Sequence, residues 1–70
     1  MNENELKAAI ARNGLSIPKL AKEIHIGKKA LYQKVKGRSQ FTQKEICSIS
    51  KILHLEEEDV LQIFFAELVS

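Results

Sequence analysis

The 70-residue chain is predicted to be an all-α, compact five-helix single domain. Three observations predict it: apolar residues recur at helical spacing through each long segment, no stretch alternates convincingly with period two, and helix starters and stoppers separate the segments. The composition agrees, because 44% hydrophobic and 29% charged residues with three Gly and one Pro suit an ordinary globular chain and argue against disorder. About seventy residues is near the lower limit for a core that holds without staples, which leaves room for one domain only.

The elements follow in order. In "ENELKAAIARN" the residues Leu6, Ala9, Ile10 and Asn13 form one stripe, and Gly14 supplies the stop, so the first helix ends near Asn13. Ser16 is a good N-cap and Pro18 suits a first turn, where its missing N–H has no intrahelical partner. The second helix then runs over about 17–24 and buries Leu20, Ala21 and Ile24. His25, Ile26 and Gly27 are too few for a free loop, so a third helix starts at once, covers about 28–36 and stops at Gly37. Phe41 anchors the following loop to the core. Thr42 with Glu45 three residues on is the signature of a capping box, and Ile46, Ile49 and Leu53, with Ile52 beside them, give the buried stripe of the fourth helix. Leu55 plugs the last connection, and the acidic run Glu56 to Asp59 opens the fifth helix, where negative charge meets the positive end of the helix dipole.

Apolar residues of that last helix spread over about 240° of a wheel at 100° per residue, too wide an arc for one small core. Val60, Leu61 and Phe64 are expected in the core. Ile63, Phe65, Leu68 and Val69 are expected to face a partner, such as a second copy in a homodimer.

Several function classes are set aside. Apolar runs such as Ile63 to Ala66 fall far short of the roughly 20 residues of a membrane span, and "MNENELK" has no signal-peptide character. A soluble protein of the cytoplasm is expected, with no membrane partner. The single cysteine, Cys47, has no partner for an internal disulfide and reads as a partly buried thiol beside the helix stripe. His25 and His54 lie far apart in sequence and read as structural residues of a turn and a helix end. No Ser, His and Asp set, phosphate loop or catalytic carboxylate pair stands out, so no enzyme, cofactor or metal is expected. The Glu56 to Asp59 run reads as a helix-start charge cluster, with a docking surface for a basic partner as the other reading.

Charge is distributed unevenly. Residues 1–40 carry nine Lys or Arg against three Glu, and residues 41–70 carry two Lys against six Asp or Glu. The N-terminal half therefore points to a polyanionic partner. Its centre is "GKKALYQKVKGR", with Lys28, Lys29, Lys34, Lys36 and Arg38 and no acidic residue. With buried Leu31 and Val35 near 0° and about 40° on the wheel, Tyr32, Lys36, Lys29 and Gln33 fall between about 100° and about 200°. Lysine can point at guanine O6 and N7, glutamine can pair with adenine N6 and N7, and tyrosine can touch a phosphate or a thymine methyl. Ahead of this helix lie a brace helix and a three-residue turn, with small Ala21 where the helices cross and apolar Ile26 as the plug. That is the pattern of a helix-turn-helix.

From Ser16 through "IFF" the sequence resembles the helix-turn-helix domain of the phage repressor and Cro superfamily, the XRE family. The resemblance covers roughly residues 5–65. It is carried by "LA" at Leu20 and Ala21, by Ile26, by "ALYQKVKG", and by "ISKILHLEEEDV" closing the fold. The resemblance implies a lambda-repressor-like DNA-binding fold. Among family members, the short chain ending in "IFFAEL" looks most like small Cro-like or antirepressor proteins, modulators of repression, of temperate phages and prophages in Gram-positive bacteria. By position it implies that Lys28, Lys29, Tyr32 and Gln33 face base edges, and that Ser16, Lys19, Lys36 and Arg38 hold phosphates of double-stranded operator DNA. Two departures stand out. Ile17 occupies a position where many members have a glutamine that grips the backbone, which places an exposed apolar residue on the supposed DNA face. His25 occupies a turn position that is often glycine and must tolerate the turn conformation at some cost. The rival expectation follows from Ile17: an antirepressor that binds a phage repressor protein through this same face.

Overall fold

Six helices succeed one another in residues 1–69, the part of the chain that the computed structural model describes: α1 (Glu3–Arg12), α2 (Ile17–Glu23), α3 (Lys28–Val35), α4 (Gln43–Ile52), α5 (Glu57–Phe64) and α6 (Ala66–Val69). There is no strand among the described residues. The first five helices coincide with those expected from the sequence. The sixth corrects the count of five: Phe65, at φ −125° and ψ 35°, leaves the helical basin, and the chain resumes as one short turn.

Local chemistry sets the helix starts. Asn2 Oδ1 accepts from the Glu5 N–H at 3.2 Å, and Ser16 Oγ accepts from the Lys19 N–H at 3.4 Å. Thr42 and Glu45 form the full reciprocal box, with Thr42 Oγ1 accepting at 3.1 Å and Glu45 Oε1 accepting from the Thr42 N–H at 2.8 Å. Asp59 Oδ2 does the same for the Glu56 N–H at 3.0 Å.

The helix ends share one solution. In α1 to α4 the residue after the cap has positive φ: Gly14 at 68°, His25 at 61°, Gly37 at 83° and His54 at 55°. In each case the next N–H reaches back to the carbonyl five residues earlier: Leu15 to Ile10 at 3.1 Å, Ile26 to Ala21 at 3.0 Å, Arg38 to Gln33 at 2.9 Å and Leu55 to Ser50 at 2.9 Å. These are Schellman motifs, which turn the chain sharply while satisfying carbonyls left over at the helix end. Leu15, Ile26 and Leu55 follow three of the reversals and pack against the core. They tie each turn to the interior.

Leu6, Ala9, Ile10, Leu20, Ala21, Leu31, Val35, Ile49, Leu53, Ile63 and Phe64 make up that interior. Phe41 leans on it from the loop after α3, its ring edge-on to Phe64 at 5.4 Å and 85°. The Asn13 side chain ties two helix ends together, donating to the carbonyls of Ala9 at 2.8 Å and Leu53 at 3.2 Å. The N-terminus is held to α5 by the Asn2 N–H, which donates to the Ile63 carbonyl at 2.7 Å.

Three expectations about burial are corrected. Ile63 is core, at 2% exposure, and Leu61 is on the surface, at 45%. Because α5 packs against both α1 and α4, adjacent Ile63 and Phe64 are both covered, and Leu61 points away from both neighbours. Cys47, expected to be partly buried, is exposed.

Candidate functional site

Leu31 and Val35 are both fully buried, and they fix the rotation of α3. Ala21, 2% exposed, lets α2 lie against α3. Lys28, Lys29 and Tyr32 are thereby left on the outside, with Tyr32 at 44% exposure. These three line an open depression together with Ile17 and Pro18 at the start of α2. Ile17, expected to be exposed, is half-buried: one side packs on the core and the other lines this depression. The result is an apolar floor with two ammonium groups at its rim.

The start of α3 is electrostatically unusual. Its first two residues are Lys28 and Lys29, there is no acidic residue in the first turn, and Gly27 at the N-cap has no side chain with which to cap it. Cations and the positive end of a helix dipole repel each other, so this arrangement works against the helix in isolation and favours an anion arriving from outside.

The far end of α3 differs. Lys34 Nζ binds both carboxylate oxygens of Glu45, at 2.6 and 2.7 Å, in a pair whose side chains are each only 16% exposed. Partial burial pushes the Glu45 carboxyl up, but the hydrogen bonds from Lys34 and from the Thr42 N–H outweigh it and hold the carboxyl below its usual range. Lys36 Nζ lies 3.4 Å from Glu3 Oε2 and 5.6 Å from the Tyr32 ring centroid, close enough for a cation–π contact. Glu3 also binds Lys7 at 2.8 Å. The Lys7 hydrogen bond is the main cause that lowers the Glu3 carboxyl, and Lys36 adds to it.

The residues expected to touch DNA are thus sorted by the structure. Lys28, Lys29 and Tyr32 are brought together. Ser16 and Lys19 are exposed beside Ile17, with Ser16 Oγ already capping α2. Gln33 is half-buried and accepts a long hydrogen bond, 3.4 Å, from Arg38 Nη1, while Arg38 itself is exposed. Lys36 is the one whose ammonium is already paired, with Glu3. Sequence reasoning missed Pro18 in the depression and Lys7 beside Glu3. The second had a signal, the Glu3 to Lys7 spacing of four on one helix.

Among the residues expected to meet a partner at the C-terminal end, Ile63 is withdrawn into the core. Phe65 is half-buried against it, and Leu68 is exposed at 80%. The Val69 side chain lies outside the described residues. A second concavity, of about 530 Å³, opens at the other end of α3 between the loop after it, Phe65 and Glu3. Among the described residues no group of three His, Cys, Asp or Glu could hold a metal ion, and no helix is long and apolar enough to cross a membrane.

Fold and site together define a small all-α domain with a cationic face built around an apolar depression. No family model, no curated protein and no solved structure matches the chain.

Proposed function

We propose that the chain is a sequence-specific transcriptional regulator of the Cro type, acting in the bacterial cytoplasm as part of a phage or prophage genetic switch. In this reading α2 and α3 form a helix-turn-helix, α3 enters the major groove of operator DNA, and two copies read a palindromic site with half-sites about 34–36 Å apart. The observation that carries it is the placement of Lys28 and Lys29 on the uncapped start of α3. An anion there meets two ammonium groups and the unpaired N–H groups of the first turn, and a DNA backbone is a row of such anions. Tyr32 and Gln33, one turn further on, reach towards base edges. Lys19 and Arg38 hold the flanking phosphates.

The test is selection of bound sequences from a random duplex pool, followed by anisotropy titration on the selected site. Lys29→Ala with Gln33→Ala should cost about 1–3 kcal/mol per lost base contact and relax the preference, whereas Lys19→Ala or Arg38→Ala should weaken all sequences alike and reduce the salt slope by about 1. A pool that enriches nothing, or a double variant that binds the selected site unchanged, defeats the reading.

A second reading is supported by the depression itself. Ile17 and Pro18 offer DNA little and offer a protein an apolar seat between lysines, as an antirepressor that occupies a phage repressor would need. There Ile17→Asp abolishes capture of the repressor, and the isolated chain has no sequence preference on DNA.

A further inference from the structure

The acidic residues at the start of α5 and the basic residues at the start of α3 have the same spacing. Lys28, Lys29 and Tyr32 are the first, second and fifth residues of α3, and Glu57, Glu58 and Leu61 are the first, second and fifth of α5. On a helix, residues three and four apart share a face. Each triplet therefore presents a large side chain one turn beyond two like charges, and the two triplets carry opposite sign. Both are accessible, since Lys28, Lys29, Glu57 and Glu58 are exposed, Tyr32 is 44% exposed and Leu61 is 45% exposed. Leu61 is also a large aliphatic residue that its own chain leaves nearly half exposed. The depression of Ile17, Pro18 and Tyr32 is an apolar seat of matching character, ringed by charges opposite to those beside Leu61.

We infer that a second copy of this chain docks its α5 on the α3 face of the first, with Leu61 in the depression and Glu57 and Glu58 against Lys28 and Lys29. Parallel alignment of the two helices puts all three pairs in register. The donor and acceptor surfaces are different, so the contact is head-to-tail: each added copy leaves one basic face and one acidic helix open, and association does not close at two. A handful of side chains covers far less than the roughly 800 Å² per partner of a stable interface, so the contact is weak and depends on concentration and salt. It does not depend on what else the basic face binds, but it occupies that face. Self-association and any polyanionic partner therefore exclude each other.

Sedimentation of the full chain across a concentration series tests this. At about 0.1 M salt, where the screening length is about 10 Å, the mean mass rises from the single-chain 7.9 kDa without levelling at a dimer; at about 1 M, with screening at about 3 Å, it returns to that value. Glu57→Lys with Glu58→Lys, and separately Lys28→Glu with Lys29→Glu, each remain single chains, and mixing the two variants restores association: the altered α5 of one docks on the altered α3 of the other with signs exchanged, and the two unaltered surfaces form the original contact. Circular dichroism checks that each variant is folded. Should the α5 variant fail to fold, the α3 variant added to the unmodified chain still decides the matter: it can donate its α5 but accept none, so it terminates growth and lowers the mean mass. Unmodified chain that stays at single-chain mass throughout the series overturns the inference. So does association that persists at high salt and in both variants, which would place the contact at another surface such as Leu68. Failure to select a DNA site would leave these mass readings unchanged, so the two ideas fail separately.

Discussion

Replacing His25 and His54 by glycine should stabilise the fold. Both residues hold positive φ, 61° and 55°, at the reversal after α2 and after α4, the same place that glycine occupies after α1 and α3. Both are exposed. The left-handed conformation costs a residue with a Cβ about 1–2 kcal/mol, and glycine returns about 0.5–1 kcal/mol of that through its greater freedom in the unfolded chain. A net gain of roughly 0.5–1 kcal/mol per site remains, and the two sites should add because their caps share no hydrogen-bond partner. Comparing His→Gly with His→Ala isolates the effect, since both remove the imidazole and only one removes the Cβ. Thermal melts followed by circular dichroism should place each glycine variant above its alanine counterpart, by about 4–8 °C for every kcal/mol in a chain of this size. If the glycine and alanine variants at either position melt together, the backbone there is not held left-handed and the common ending assigned to the four helices is wrong.

Three further outcomes follow from the ion pairs and the aromatic contact. The Glu45 carboxyl is held below its ordinary value of 4.5, so its contribution is present above the unfolded value and is lost as pH falls through the lower folded one; melts of Glu45→Gln from about pH 6 to about pH 2 should show a shallower loss than the unmodified chain. Glu3→Gln releases Lys36 and Lys7 from their shared carboxylate, so binding to duplex DNA should tighten and its salt slope steepen, by up to about 0.9 for each cation that gains a phosphate. An unchanged slope would show that neither lysine reaches the backbone. Phe41→Ala removes the edge-on contact with Phe64 and should destabilise the fold by about 2 kcal/mol, less than full truncation of a core phenylalanine because Phe41 is only half-buried, as read from denaturant midpoints.

What the sequence made legible was what is local. Ser16, Thr42 with Glu45, Gly14 and Gly37 each act on backbone groups within a few residues, so their roles follow from spacing alone. The histidine caps carried a weaker mark: "NGL", "IHI" and "LHL" all end in an apolar residue that packs down after the reversal, but histidine does not announce positive φ as glycine does. The rotation of α5 was out of reach. A helix apolar over most of its circumference can be turned several ways, and the choice here was made by α1 and α4, far away in sequence. The pairing of Lys36 with Glu3 was hidden for the same reason.

That pairing changes which lysines matter on the candidate face. α3 and its C-cap residue Lys36 use their cations in two ways. At its end, Lys34 is clasped by Glu45, itself part of the box that starts α4, and Lys36 is held by Glu3 from α1, so both charges fasten α3 to its neighbours. At its start, Lys28 and Lys29 are exposed and lie against the helix dipole, where they contribute nothing to the helix they begin. A natural sequence that breaks a local rule tends to do so at a functional site. The wheel alone would rank Lys36 beside Lys29 as a contact. With the neighbouring helices in place, the uncommitted lysines of α3 lie at the Ile17 end of the face, over the apolar depression, and the lysines at the far end hold that face in position.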